Sequence, residues 1–255
     1  MPSKPVNKTK KVLLWLNLFL LMSNNWFRFK HFTIEQERCS MKVGTDGVLL
    51  GAWFPMNEGC SVLDIGTGTG LVALMAAQRG AGRVTAVEID PGAAEQAHLN
   101  VSNSPWADTV DVICSDIVCF RTDFRFDRIV CNPPYFRDSL RCPDSGRNTA
   151  RHNDFLSYET LASCSVPLLA DDGLLCVVLP YDLVETFAKC ASTAGLFMCR
   201  KTDVVTAPGK TPKRSLVSFS KTCLTLETDV LQMCGSDGKA TPEYINLVRD
   251  FYLKY

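Results

Sequence analysis

Asp64-Ile65-Gly66-Thr67-Gly68-Thr69-Gly70 follows a short apolar run and precedes a helix-like one. Three glycines at alternate positions let a backbone turn tightly and approach a ligand with no side chain in the way. The spacing is one residue tighter than the dinucleotide fingerprint, and no Lys-Ser/Thr follows as in a phosphate-binding loop. Taken alone, such a segment also serves as a plain strand-to-helix turn. Two more acids strengthen the ligand reading. Glu88 ends the next apolar run, where a carboxylate is placed to accept hydrogen bonds from two ribose hydroxyls. Asp116 stands just past the third run, where it could accept from an adenine amino group while Ile117 packs on the ring. Singly, each acid reads as a surface or capping residue; together they would border one edge of a parallel sheet.

A fourth apolar run ends in Asn132-Pro133-Pro134-Tyr135. Two prolines stiffen the backbone and leave carbonyls free of ladder pairing. The Asn132 side-chain oxygen and the Pro133 carbonyl can accept the two hydrogens of a planar NH2 group, which aims the nitrogen lone pair at an electrophile. Tyr135 offers a ring on which a flat base can stack. Positioning and electrostatics then supply most of the rate, and no strong base is needed. His152 can be weighed as a general base, but this chemistry does not require one. The plain alternative is a Pro-rich turn at a strand end.

Residues with these duties need a scaffold that lines them up along one edge. Strand signals cover Ser61–Ile65, Val84–Glu88, Val110–Cys114, Phe126–Cys131, Leu174–Leu179, Cys199–Thr206 and Ser215–Leu224. Helix signals fall between them: Leu71–Arg79, Pro91 to about Asn100, Tyr158–Leu169, and a helix capped by Asp182 that reaches about Ala191. Thr241-Pro242 opens a last helix with Ile245, Leu247, Val248, Phe251 and Tyr252 on a wide apolar face. Met41–Trp53 reads as a loop followed by a short helix, behind an aromatic and basic patch, Trp26 to Phe32. Alternating strands and helices imply an α/β class, a doubly wound, mostly parallel seven-stranded sheet with helices on both faces. The last two strands leave little room for a helix between them and imply an antiparallel hairpin at one edge. Ligands are expected at the carboxyl ends of the strands.

The chain has 255 residues, 46% of them apolar and 21% charged, with 27 Lys plus Arg against 27 Asp plus Glu. This balance excludes a disordered, fibrous or histone-like protein, though not a local basic face. The 12 cysteines include no CxxC pair, and His31, His98 and His152 form no ligand spacing, so a metal site is not expected. Several cysteines, Cys114, Cys131 and Cys176 among them, lie in apolar runs and read as reduced, buried thiols in a cytosolic protein. Lys8, Lys10 and Lys11 precede an apolar run from Val12 to Met22. That run resembles a signal peptide but lacks a small-x-small cleavage site, and it is too short to span a membrane. Residues 1–21 are therefore expected to lie upstream of a true start at Met22.

DIGTGTG, AVEID, SDI and NPPY together resemble the class I S-adenosylmethionine-dependent methyltransferases. The resemblance implies a Rossmann-like methyltransferase fold and a nucleoside cofactor bearing a sulfonium and no phosphate, which suits a loop without Lys or Arg. It implies cofactor contacts at Asp64, Gly66, Gly68, Gly70, Glu88, Asp116 and Ile117, and catalysis at Asn132, Pro133, Pro134 and Tyr135. NPPY in these enzymes marks methylation of planar nitrogens, in adenine, cytosine or a glutamine amide. The stretches FRFKHFTIEQERCSMKVGTDGVLLGAW, ARHNDFLSYETL and RDFYLKY lie outside the cofactor motifs. They are similar to the bacterial family that methylates N6 of adenine-37 beside the anticodon of a valine tRNA.

That resemblance implies one methyltransferase domain over 22–255, with a substrate- and cofactor-covering segment at 26–56, a core at 57–225 and a C-terminal helix at 241–255. It implies a cytoplasmic enzyme acting on tRNA, with no membrane, metal or obligate protein partner. A single-stranded loop suits the chemistry, because its bases are already unpaired. Three basic clusters are candidate RNA contacts: Arg28 and Lys30; Arg137, Arg151 and His152; and Lys213 with Arg214. Asp138, Asp144 and Asp154 are interleaved in the second cluster, and each cluster also reads as a solvated loop. Two other readings are a glutamine-amide N5 methyltransferase acting on a translation factor and a non-catalytic RNA-binding module on the same fold. The first carries a helical domain ahead of the glycine loop, where roughly 40 residues separate Met22 from Asp64 here. The intact Asp64, Glu88 and Asn132 argue against the second.

Overall fold

A run such as Ser-Val-Leu-Asp-Ile puts apolar side chains on both faces, so it folds as a strand covered on both sides. A computed structural model of the protein describes residues 25–39, 41–133 and 156–255. That run is β3 (Ser61–Ile65), with all five residues buried. Ahead of it lie a two-stranded ribbon, β1 (Trp26–Arg28) and β2 (Thr33–Glu35), and α1 (Thr45–Trp53). After it come α2 (Leu71–Gln78), β4 (Arg83–Glu88), α3 (Pro91–Ser102), β5 (Val110–Cys114) and β6 (Phe126–Cys131). The second half holds α4 (Tyr158–Leu168), β7 (Leu169–Pro180), α5 (Val184–Thr193), β8 (Phe197–Val205), β9 (Arg214–Ser220), β10 (Glu227–Gln232) and α6 (Pro242–Val248).

The main sheet has eight strands in the order β10-β8-β9-β7-β6-β3-β4-β5. From β7 to β5 all neighbours are parallel, while β9 runs antiparallel to both β7 and β8. Alternate side chains of the central strands feed two cores. Val62, Val84, Val130 and Cys176 pack with α1 and α2 on one face. Leu63, Ile65, Ile129 and Val177 pack with α4 and α5 on the other. The doubly wound α/β architecture is as expected, with one more strand than the sequence suggests. The antiparallel pair β8–β9 is not the edge, because β10 lies outside it, parallel to β8. Glu-Thr-Asp-Val-Leu-Gln escaped notice because an edge strand faces water, and Leu231 is its one buried residue.

Local corrections have local causes. Asp182 does not cap α5; it sits inside a 3-10 turn, Tyr181–Leu183, that leads into the helix. The last helix stops at Val248, short of residue 255, although Phe251 is still buried and Thr241 caps its start by accepting from Tyr244 N–H. Strand β9 ends at Ser220, and Leu224 beyond it is exposed. All eleven cysteines among the described residues are free thiols; Cys131 and Cys176 are buried, but Cys114 is exposed at the tip of the edge strand β5. Among the described residues, no helix is long and apolar enough to cross a membrane.

Candidate active site

Register brings the site together. Ile65 pairs with Val87 on β4 and with Cys131 on β6, and Glu88 pairs with Cys114 on β5. The ends of β6, β3, β4 and β5 are thus level, and the residues just beyond them share one rim. The chain winds outward from β3 to β5 and then returns to β6 on the other side of β3. A crevice opens at such a reversal point. It is an open cleft of about 310 Å³ whose walls include Asp64, Gly66, Gly68, Leu71 and Asn132. Asn132 and the glycine turn therefore face one space.

The turn is built by its glycines and by β4. Gly66, Gly68 and Gly70 have φ of 69°, 55° and 80°, in the left-handed region that L side chains rarely adopt. Gly66 and Thr67 N–H both donate to the Val87 carbonyl, at 2.8 and 3.1 Å. Gly68 N–H donates to Glu88 Oε2 at 2.8 Å, and Asp90 N–H donates to Oε1 at 3.0 Å. The Glu88 carboxylate thus ties the turn to β4 while its oxygens keep further acceptor capacity. No atom stands within 4 Å of where a Cβ at Gly66 or Gly68 would be, so the turn leaves its front open.

Asp64 is 2% exposed. Thr67 Oγ1 and Ala73 N–H donate to its Oδ2, at 2.6 and 3.2 Å. Burial pushes its carboxyl up to about 7, assisted by the charge of Glu88 and opposed by those two bonds. The folded chain therefore holds this proton more tightly than the unfolded chain, whose Asp titrates at about 3.9. The stabilisation is complete below about 4 and is lost as the pH rises to about 7. Stability of the ligand-free protein is expected to fall between about pH 4 and 7, and Asp64→Asn is expected to flatten that fall; denaturant unfolding across the range measures both.

The remaining expected residues fall into groups. Asp116 Oδ1 accepts from Val118 N–H at 2.9 Å, and Ile117 is buried; both follow β5, further along the rim and outside the walls of this cleft. Asn132 Nδ2 lies 3.9 Å from Met41 Sδ, and Pro133 is buried beside it. Pro134, Tyr135, Arg137, Arg151 and His152 lie outside the described residues. Lys30 Nζ donates to the backbone oxygens of Arg249 and Tyr255, at 2.6 and 2.7 Å, so it fastens the ribbon to the C-terminal segment. Arg28 lines a shallow pocket with Phe27 and Tyr252. Arg214 Nε donates to Asp46 Oδ2 at 2.7 Å. Among the described residues, no three His, Cys, Asp or Glu side chains converge as a metal-binding set.

Two positioning details are not legible in the sequence. Segment 41–47 forms a whole wall of the cleft, and a Cβ at Gly47 would stand 3.2 Å from Leu71 Cδ2. Asn100, 2% exposed on α3, joins the ribbon to the turn. Its Oδ1 accepts from Glu35 N–H at 2.9 Å, and its Nδ2 donates to the carbonyls of Glu35 and Thr69, at 2.8 and 2.9 Å. The signal was a polar residue in line with the buried Ala93, Ala97 and Val101 at helical spacing.

Comparison with known proteins bears on the family and the fold. The family model described as Methyltransferase small domain matches residues 39–148. Over 236 residues the chain is 49% identical to a Bacteroides fragilis protein named tRNA1(Val) (adenine(37)-N6)-methyltransferase, covering 91% of this chain and 100% of that one. A protein of the same name from Yersinia enterocolitica is 41% identical over 239 residues, covering 92% of this chain and 95% of its own. A crystal structure of a predicted O-methyltransferase from Agrobacterium tumefaciens shares the fold, with a TM-score of 0.63 at 20% identity, over 81% of this chain and 96% of that one.

Proposed function

The chain belongs to the tRNA1(Val) (adenine(37)-N6)-methyltransferase family, and from that premise we propose that it methylates N6 of adenine-37, beside the anticodon of a valine tRNA, with S-adenosylmethionine as donor. The observation that carries the reading is the shared cleft of Asn132 and the glycine turn.

The residues present fit that cofactor. The turn keeps an open front free of side chains, and no Lys or Arg within it asks for a phosphate. Gly66, Gly68 and Gly70 would hold the nucleoside by backbone, Glu88 would accept from the ribose hydroxyls, and Asp116 with Ile117 would take the adenine ring. Asp64, at the cleft wall, would be drawn toward its charged form by a cationic ligand. When bound, the cofactor supplies an electrophilic methyl group on a sulfonium.

The protein's own work lies in the grip on the target amine. Asn132 Oδ1 and the Pro133 carbonyl accept its two N–H bonds, which keeps electron density on N6 and fixes the direction of its lone pair. Pro133 stiffens this grip, and the roles expected of Pro134 and Tyr135 rest on the sequence alone. The surplus proton leaves N6 to water after transfer, so no strong base is required. An unpaired loop base enters such a cleft at small cost in stacking. The substrate and the cofactor place the reaction in the cytosol.

The direct test is incubation with methyl-labelled S-adenosylmethionine and unmodified total tRNA, followed by nucleoside analysis. Label is expected in N6-methyladenosine from valine tRNA. Label absent from tRNA but present in a glutamine amide of an added translation factor would overturn the reading.

A further inference from the structure

A second cavity opens beyond the end of β7, where β9 begins. It has a volume of about 410 Å³ and is lined by Tyr181, Asp182, Pro212, Lys213 and Arg214. That volume lies within the range of about 300–1,000 Å³ usual for small-ligand sites. Tyr181 is 42% exposed, and its N–H donates to the Lys213 carbonyl at 3.2 Å. Lys201 Nζ stands 4.9 Å from the centre of its ring and 3.2 Å from Asp203 Oδ2. A cation over one face of an aromatic ring leaves the opposite face for a flat partner. The loop from residue 206 to 213 adds Lys210 and Lys213 and contains no acid. Arg214 also reaches Asp46, and Asp46 lines the cofactor cleft, so one ion pair joins the walls of the two cavities.

We propose that this second cavity receives a nucleotide adjacent to the target adenine in the RNA loop, its base stacked on Tyr181. This rests on the function proposed above. An adenine turned into the cleft at Asn132 brings its covalent neighbours to the adjoining cavity. The neighbour is a base released from its helix, and an aromatic ring is a sequence-tolerant platform for it. Lys213 faces its phosphate, and the Asp182 carboxylate accepts from a base N–H. An acidic peptide would use the lysines but leave the tyrosine ring and Asp182 without a purpose.

The test uses the full chain and an unmodified valine-tRNA anticodon stem-loop in which the nucleotides on either side of the target are replaced in turn by 2-aminopurine. With the wild type, one of the two probes is expected to be quenched on binding. Tyr181→Ala is expected to abolish that quenching and raise KM for the RNA about tenfold, with less than twofold change in kcat. Tyr181→Phe is expected to behave as wild type, which separates loss of the ring from misfolding. Lys213→Ala is expected to lower the salt slope of binding by about one. If Tyr181→Ala keeps wild-type KM and quenching while adenine is still methylated, the nucleotide site is wrong and the proposed function stands. If the wild type methylates no adenine, the function reading fails and takes the site with it.

Discussion

Asn132→Ala is expected to lower kcat for methyl transfer to tRNA by about 100- to 1,000-fold, the range seen when one preorganised polar group is removed from the charge-developing centre of an active site. Asn132 follows β6 and lines the cleft, and the turn's own contacts run to Val87 and Glu88. Affinity for S-adenosylmethionine is therefore expected to change little. Single-turnover transfer of labelled methyl measures the first effect and calorimetry the second. Normal transfer by this variant would remove the assigned grip on the amine. Loss of cofactor affinity equal to the loss of rate would assign Asn132 to the cofactor side of the cleft.

Glu88→Ala is expected to weaken cofactor binding by more than about 100-fold. Hydrogen bonds to a charged group contribute about 1.5–3 kcal/mol each, and about 1.4 kcal/mol is tenfold in affinity. The substitution removes the acceptor for two ribose hydroxyls and also leaves Gly68 and Asp90 N–H without their carboxylate partner. Glu88→Gln keeps one acceptor oxygen and is expected to fall between the two. Titration calorimetry with S-adenosylmethionine reads the series, and unchanged affinity in Glu88→Ala would end the ribose assignment. A drop in melting temperature without ligand should accompany the alanine variant, since the turn loses a tie to β4.

The sequence made the middle of the sheet legible because β3, β4, β6 and β7 are covered on both faces and have little choice of composition. The rim followed from topology: once β3 and β6 are neighbours in register, Asp64 and Asn132 must approach each other. What stayed hidden was polar and non-local. Glu88 was placed as a ligand group, yet its bond to Gly68 depends on a turn 20 residues away. Lys30 reads as a candidate RNA contact because charge near an aromatic patch looks alike whether it faces phosphate or a backbone oxygen of the same chain. Arg214 shares that ambiguity, since its partner Asp46 lies 168 residues earlier. The ribbon β1–β2 has strands of three residues, too short for any alternation to register.

The Asn100 clasp ties two distant pieces of chain into one mechanical part. Its amide holds both the amide and the carbonyl of Glu35 in the ribbon as well as the Thr69 carbonyl in the turn. Neither piece can lift away without leaving part of the buried Asn100 amide short of a partner, so both lean on one side chain. Fraying at the front of the molecule is thereby felt at the nucleoside cradle, and whatever steadies the cradle steadies the front.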